Sequence, residues 1–251
     1  MPTPTTPSAL GLPPRDPRHV PDVVRQLPSR GEGRLALFDA DGTLFRDDVA
    51  DDFTRWLIDS GRAPHGELWD EYLKVYRGDH AAGCRFLLRL YAGLSIDELR
   101  RLNRCWWEGH ARRRWIVEAL EALHWLAEHD YEVWIVTGSP TDVMTPLPDF
   151  LPISRVVGMD FELDAAGLIT GRVEGISCAD DGKADKVLAL SGGRSVAFAA
   201  GNGSLDEAMM ALAGEHAWGV YPNEAFAQVC ARRGWPILPR PADFVEEAKL
   251  A

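Results

Sequence analysis

Apolar residues recur along this chain with two different periods. Leu35-Ala36-Leu37-Phe38 is an unbroken apolar run that ends in Asp39-Ala40-Asp41-Gly42-Thr43. Such a run, closed by turn residues, predicts a strand buried on both faces, as in a parallel sheet. Glu132 to Val136 before Thr137-Gly138-Ser139-Pro140, and Ser195 to Ala200 before Gly201-Asn202-Gly203, repeat the design. Shorter strands are predicted near Trp218–Tyr221 and Trp235–Leu238. A hairpin is predicted with Val156–Met159 and Phe161–Leu163 before Ala165-Ala166-Gly167, and Ile169–Val173 after it.

Between the first two strands the period changes. Phe53, Trp56 and Leu57 share a face, as do Leu68, Tyr72 and Val75. Phe86, Leu87, Leu90 and Tyr91 follow, then Ile116, Leu120, Leu123 and Leu126. These spacings predict amphipathic helices with no strand between them, punctuated by Gly61, Gly78 and Gly93. Further helices are predicted to open near Lys183 and to carry Met209, Met210 and Leu212. Strands alternating with helices indicate an α/β sheet with crossover connections. Residues 1–33 are Pro-rich and lack periodicity, so they read as a flexible leader. The organisation expected is that leader, a core of 34–48 and 130–251, and a helical unit at 49–129. The last helix of that unit can equally pack with the core.

Composition narrows the function. Hydrophobic residues make up 46% and charged residues 26%, as in ordinary soluble domains. A net charge of −11 argues against nucleic acid or an anionic membrane as partner. It leaves room for a small phosphorylated metabolite, which needs only a local positive pocket. Cys84, Cys105, Cys178 and Cys230 form no CxxC pair, which fits reduced thiols in a cytoplasmic protein. No apolar run approaches the ~18–20 residues of a membrane span.

In open α/β sheets, ligands bind at the carboxyl ends of the strands. Three of the predicted strand ends carry groups suited to phosphate. Asp39 and Asp41 stand two residues apart where the first strand leaves its sheet. One carboxylate can attack phosphorus and form an aspartyl-phosphate. The other can protonate the leaving oxygen and later deprotonate water. A phosphate dianion would be repelled by such acids, so a divalent cation is expected, and magnesium with oxygen ligands fits. Thr137, with the backbone amides of Gly138 and Ser139, can bind phosphoryl oxygens. Lys183, at a helix start, can neutralise the nucleophile and the transferring group, with Lys186 as its rival. Asn202 can ligate the metal through its amide oxygen, and Asp206 can hold a metal-bound water or orient Lys183.

In this order the segments resemble the haloacid dehalogenase superfamily, in its phosphoserine-phosphatase-like branch. Asp39-Ala40-Asp41-Gly42-Thr43 matches the DxDGT motif, Val133-Trp134-Ile135-Val136-Thr137 the second motif, Lys183 the third, and Gly201-Asn202-Gly203-Ser204-Leu205-Asp206 the fourth. Ile169-Thr170-Gly171-Arg172-Val173-Glu174-Gly175 is similar to that branch. The resemblance implies a three-layer, Rossmann-like parallel sheet with an inserted all-helical cap. It implies a magnesium-dependent phosphatase acting on a small phosphate monoester. In it Asp39 is nucleophile and metal ligand. Asp41 is the acid–base and lends a backbone carbonyl to the metal. Thr137, Gly138 and Lys183 hold the phosphoryl group, and Asn202 and Asp206 complete the metal site.

Two departures stand out. Asn202 occupies the usual place of a metal-binding aspartate, and Asp48 stands where phosphoserine phosphatases carry a glutamate for the substrate. Arg85 and Arg89 are the cap arginines available for a substrate carboxylate, or they belong to a solvated helix face. Arg112-Arg113-Arg114, with Arg100, Arg101 and Arg104, forms either an electropositive rim or a solvated face. A weakened phospho-ligand-binding protein and a phosphomutase are the alternatives to a hydrolase.

Overall fold

The computed structural model describes residues 11–110, 113–242 and 244. A short helix, α1 (Asp22–Arg25), precedes β1 (Leu35–Phe38). Five helices follow: α2 (Val49–Asp59), α3 (Trp69–Gly78), α4 (His80–Leu87), α5 (Ile96–Gly109) and α6 (Val117–Glu128). The chain then runs through β2 (Glu132–Pro140), α7 (Thr141–Met144), β3 (Arg155–Met159), β4 (Phe161–Leu163) and β5 (Ile169–Val173). It closes with α8 (Asp181–Ser191), β6 (Val196–Gly201), α9 (Glu207–Ala211), β7 (Ala217–Val220), α10 (Glu224–Arg233) and β8 (Ile237–Leu238).

Six strands form one parallel sheet in the order β3-β2-β1-β6-β7-β8, flanked by helices in a three-layer, Rossmann-like arrangement. β1 lies near the middle, and all four of its residues are fully buried, as an unalternating apolar run requires. From β1 the strand order steps outward to β2 and β3 on one side, then returns to β6 on the other. That reversal opens a crevice at the carboxyl ends of β1, β2 and β6. Asp39 N–H donates to Ala200 O at 2.9 Å, so the first and third of these ends touch.

Helices α2 to α5 form the cap inserted over this crevice. The outgoing and returning linkers pair with each other. Phe45 stands opposite Trp115, Arg46 N–H donates to Arg114 O and Ile116 N–H to Leu44 O, both at 2.9 Å. On one flank Asn103 Nδ2 donates to Asp142 O and Val143 O, and Trp107 Nε1 donates to Val143 O. On another, Gly93 N–H donates to Ile169 O and Ile169 N–H to Leu94 O. α6 packs instead on β2 and α1.

Two sequence expectations need correction. Residues 11–33 are not a flexible leader: Val23, Val24 and Leu27 are buried, and Arg15 Nε binds the buried Glu121 carboxylate at 3.0 Å. A few apolar residues and one arginine were enough to tie down a Pro-rich segment that has no periodicity to betray it. Residues 1–10, the rest of that segment, lie outside the described residues, as do 243 and 245–251 at the other end. Val156–Met159 is not part of a hairpin but joins the main sheet as β3, parallel to β2, while β4 and β5 pair alone. No helix among the described residues is long and apolar enough to cross a membrane.

Candidate active site

Asp39 follows β1 directly, and its side chain is buried. Its Oδ1 accepts from Lys183 Nζ at 2.7 Å and its Oδ2 from Thr43 Oγ1 at 2.9 Å. Lys183 lies in the first turn of α8 and is 1% exposed, so its ammonium has no recourse to solvent. The same Nζ donates to Asp206 Oδ1 at 2.6 Å. Asp206 Oδ2 accepts the backbone N–H groups of Asn202 and Gly203, at 2.9 and 3.1 Å, which fixes the turn after β6. Both Asp206 oxygens are thus engaged, one by Lys183 and one by the turn after β6.

Asp41 sits across the same crevice. Its Oδ1 accepts Val49 N–H at 2.8 Å, and its Oδ2 accepts Ser139 Oγ at 2.7 Å and Thr137 Oγ1 at 3.4 Å. Gly42, between the two acids and Thr43, has φ of +80°, and a Cβ there would stand 2.0 Å from Asn202 Nδ2. Glycine is thus required both by the backbone and by the amide packed on it. Four segments far apart in sequence, at 39–43, 137–139, 183 and 202–206, meet at one point.

Charge is concentrated here. Burial, with the nearby Asp206 carboxylate, pushes the Asp39 carboxyl up to about 6 despite Lys183 and Thr43. Burial, then Asp48 and Asp39, hold the Asp41 carboxyl well above the usual range. Burial works against the Lys183 ammonium, but Asp206 and Asp39 outweigh it and keep the amine charged. The acids thus differ in setting: Asp39 bonds an ammonium and one hydroxyl, Asp41 a backbone amide and two hydroxyls. That difference suits a nucleophile and a proton donor.

Asp48 N-caps α2 by accepting Asp51 N–H at 3.0 Å, and its charge acts on Asp41. The two cap arginines have contacts of their own. Arg85 is exposed on α4, where with His80 it draws down an Asp180 carboxyl that burial, Asp79 and Asp181 hold up. Arg89 is exposed and lies over the Phe86 ring at 4.5 Å, with its backbone against Gly171 of β5. Lys186 is no rival to Lys183: its Nζ donates to Gly158 O and Asp160 Oδ2, away from the acids.

Among the described residues of the arginine run, Arg113 and Arg114 are each engaged by an acid rather than set in a rim. Arg113 is buried, bound to Asp52 at 2.6 Å and set over Trp106, while Arg114 binds Asp47. Arg100 binds Asp142 and Arg101 binds Glu98; Arg112 lies outside the described residues. Trp106, Trp107 and Trp115 are core residues.

Three contributors escaped the sequence reading. Thr43 holds Asp39, and the Ser139 hydroxyl holds Asp41; both belong to motifs already noticed, Thr43 with no role of its own and Ser139 valued only for its backbone amide. Cys84 of α4 rests on the Thr137–Ser139 turn, since a Cβ at Gly138 would stand 3.0 Å from its Sγ. No local signal in the sequence marks it.

Among the described residues no trio of His, Cys, Asp or Glu side chains forms a metal site. The Asp39 carboxylate and the Asn202 amide, which lies against Gly42, are oxygen-bearing groups at this point.

Comparison with known proteins agrees with this architecture. The profile of the haloacid dehalogenase-like hydrolases matches residues 36–211. A histidinol-phosphatase from Neisseria meningitidis serogroup C (strain 8013) is 24% identical over 225 residues, which cover 81% of this chain and 97% of that one. A Bordetella pertussis Tohama I protein of unknown function superposes with a TM-score of 0.72 at 22% identity, covering 83% of this chain and 98% of the other. A substrate-bound phosphoserine phosphatase superposes with a TM-score of 0.57 at 19% identity, covering 82% and 93%. At these identities the superpositions speak for the fold.

Proposed function

The chain belongs to the haloacid dehalogenase-like hydrolases, and from that membership we propose that it is a magnesium-dependent phosphatase of small phosphate monoesters. One observation carries the reading: a single buried ammonium, Lys183 Nζ, joins Asp39 to Asp206 while Asp41 stands beside the Thr137–Ser139 turn. The Asp39 carboxylate forms a bond to phosphorus as the ester P–O bond breaks, and the electron pair leaves with the alcohol oxygen. Asp41 gives that oxygen its proton. Asp41 then takes a proton from water, which attacks phosphorus and frees Asp39 and inorganic phosphate. Lys183 offsets the charge that gathers on the phosphoryl oxygens, and Thr137 with the Gly138 amide holds them.

The donors fit magnesium, since all are hard oxygens and the crowded acids call for a cation. When bound, magnesium would screen the nucleophile from the phosphate dianion. Asp39, the Asp41 carbonyl and Asn202 would hold it, with Asp206 supporting the set through Lys183.

The leaving group is read as an alcohol that bears an amine and no carboxylate. Asp48 acts on Asp41, so negative charge stands beside the acid on the cap side. Arg85 acts on Asp180 and Arg89 lies over Phe86, which favours a substrate without a carboxylate, and the curated relative is named histidinol-phosphatase. The test is magnesium-dependent release of phosphate from histidinol phosphate, phosphoserine and p-nitrophenyl phosphate, with Asp39→Asn as control. Activity surviving in Asp39→Asn would refute the mechanism, and preference for phosphoserine would refute the leaving group. Asn202 supports a second reading, of a phospho-ligand-binding protein with weak turnover. In that case the same esters bind but release no phosphate.

A further inference from the structure

The acid that must give and take back a proton is gripped from two sides. From the cap, the backbone N–H of Val49, first residue of α2, donates to Asp41 Oδ1 at 2.8 Å. From the core, Ser139 Oγ at the end of β2 donates to Asp41 Oδ2 at 2.7 Å. Thr137 Oγ1 reaches Oδ2 only at 3.4 Å, and it also accepts Ser139 N–H at 3.0 Å. Ser139 is 6% exposed, so water does not readily substitute for its hydroxyl.

The two near donors are chemically unequal. An amide N–H can only donate, so Oδ1 remains an acceptor whether Asp41 is ionised or not. A serine hydroxyl can donate or accept, and it rotates to suit. Oδ2 is therefore the oxygen able to carry the proton. It is also the oxygen turned to the Thr137–Ser139 turn, where the phosphoryl group is to be held.

We infer that Ser139 is a positioning residue for the acid–base step, holding Asp41 Oδ2 in place and following its proton. With Asp41 protonated, the Ser139 oxygen accepts from Oδ2–H. As the alcohol oxygen departs and takes that proton, the hydroxyl turns and donates to the carboxylate left behind. When water later returns a proton to Oδ2, the hydroxyl turns back. No atom is gained or lost at Ser139. The inference rests on the proposed role of Asp41.

A merely structural serine and a positioning serine differ in one readout. Proton donation matters for an alkyl phosphate, whose alkoxide is a poor leaving group. It matters little for p-nitrophenyl phosphate, whose phenolate leaves unaided. Ser139→Ala and Ser139→Cys are expected to lower kcat/KM for the alkyl ester about tenfold or more beyond the loss on p-nitrophenyl phosphate. Ser139→Thr, which keeps the hydroxyl, is expected to return the ratio to within about threefold of the wild type. The cysteine variant keeps the volume should alanine fail to fold, and far-UV circular dichroism reports folding of each. Equal losses on the two esters would overturn the inference and leave the proposed function standing. A wild-type protein that releases phosphate from neither ester would overturn both.

Discussion

Asp39 and Asp206 arise from different strand ends yet bind one ammonium: Lys183 Nζ lies 2.7 Å from the first and 2.6 Å from the second. All three groups are buried, so the amine is the counter-charge of both acids at once.

Lys183→Met should therefore be costly twice over. It removes the cation proposed to face the phosphoryl group, so hydrolysis should be lost. It also leaves two buried carboxylates uncompensated, a change that costs about 3–5 kcal/mol. Urea unfolding in magnesium-free buffer measures this, and adding Asp39→Asn to the variant should recover part of the loss.

Asp41→Asn should move activity and stability in opposite directions. Burial, Asp48 and Asp39 all disfavour its charge. Asparagine keeps an oxygen for Val49 N–H and can donate to the Ser139 oxygen, so both contacts survive the change. Turnover of an alkyl phosphate should fall by about 10²–10⁴. The metal-free melting temperature should rise by about 2–4 °C, as about 1 kcal/mol of relieved repulsion implies at this size. Calorimetry of both proteins checks the sign.

Asn202→Asp should tighten magnesium binding. The two side chains have nearly the same shape, so the packing against Gly42 is kept while one negative ligand is added. Titration calorimetry with magnesium is expected to show affinity about tenfold higher in the variant. Equal affinities would mean that position 202 does not touch the metal.

The amino-terminal segment should contribute to stability. Glu121 is 2% exposed and accepts from Arg15 Nε through both oxygens and from Asp16 N–H at 2.9 Å. Arg15→Ala leaves that charge with one donor, which should cost about 1–2 kcal/mol in a thermal melt. Glu121→Gln in the same background should restore some of it.

The thiols should react in order of exposure. Cys105 is exposed and Cys84 half-buried, whereas Cys178 and Cys230 are buried. Burial pushes the Cys178 thiol up to about 11, against the pull of Lys183 and Lys186. A raised thiol pKa means that Cys178 stays protonated and inert from neutral pH to about 9. Mass spectrometry after iodoacetamide should find Cys105 labelled first, and Cys178 labelled only in denaturant.

Much of this fold is legible in the sequence itself. Leu35–Phe38 announced a doubly buried strand because nothing polar interrupts it, and the change of period after Val49 announced the cap. Lys183 could be preferred to Lys186 because a helix start faces the crevice, and the structure sends Lys186 to Asp160 instead. What could not be read depended on long-range packing. Arg113 belongs to a run of three arginines, yet it is buried because Asp52 and Trp106 come to meet it. Arg89 misses the acids because its helical turn backs onto β5, a pairing that no local pattern records. Val23 and Val24 gave no periodic signal, since a four-residue helix is too short to show one.

The paired linkers carry a consequence for how such a protein can change over evolutionary time. Because Leu44–Arg46 and Arg114–Ile116 run side by side, the helices between them begin and end at one doorway. A different insertion could be grafted there without shifting a strand of the sheet. Selectivity for the alcohol can then diverge quickly, while the machinery that handles phosphorus stays as it was.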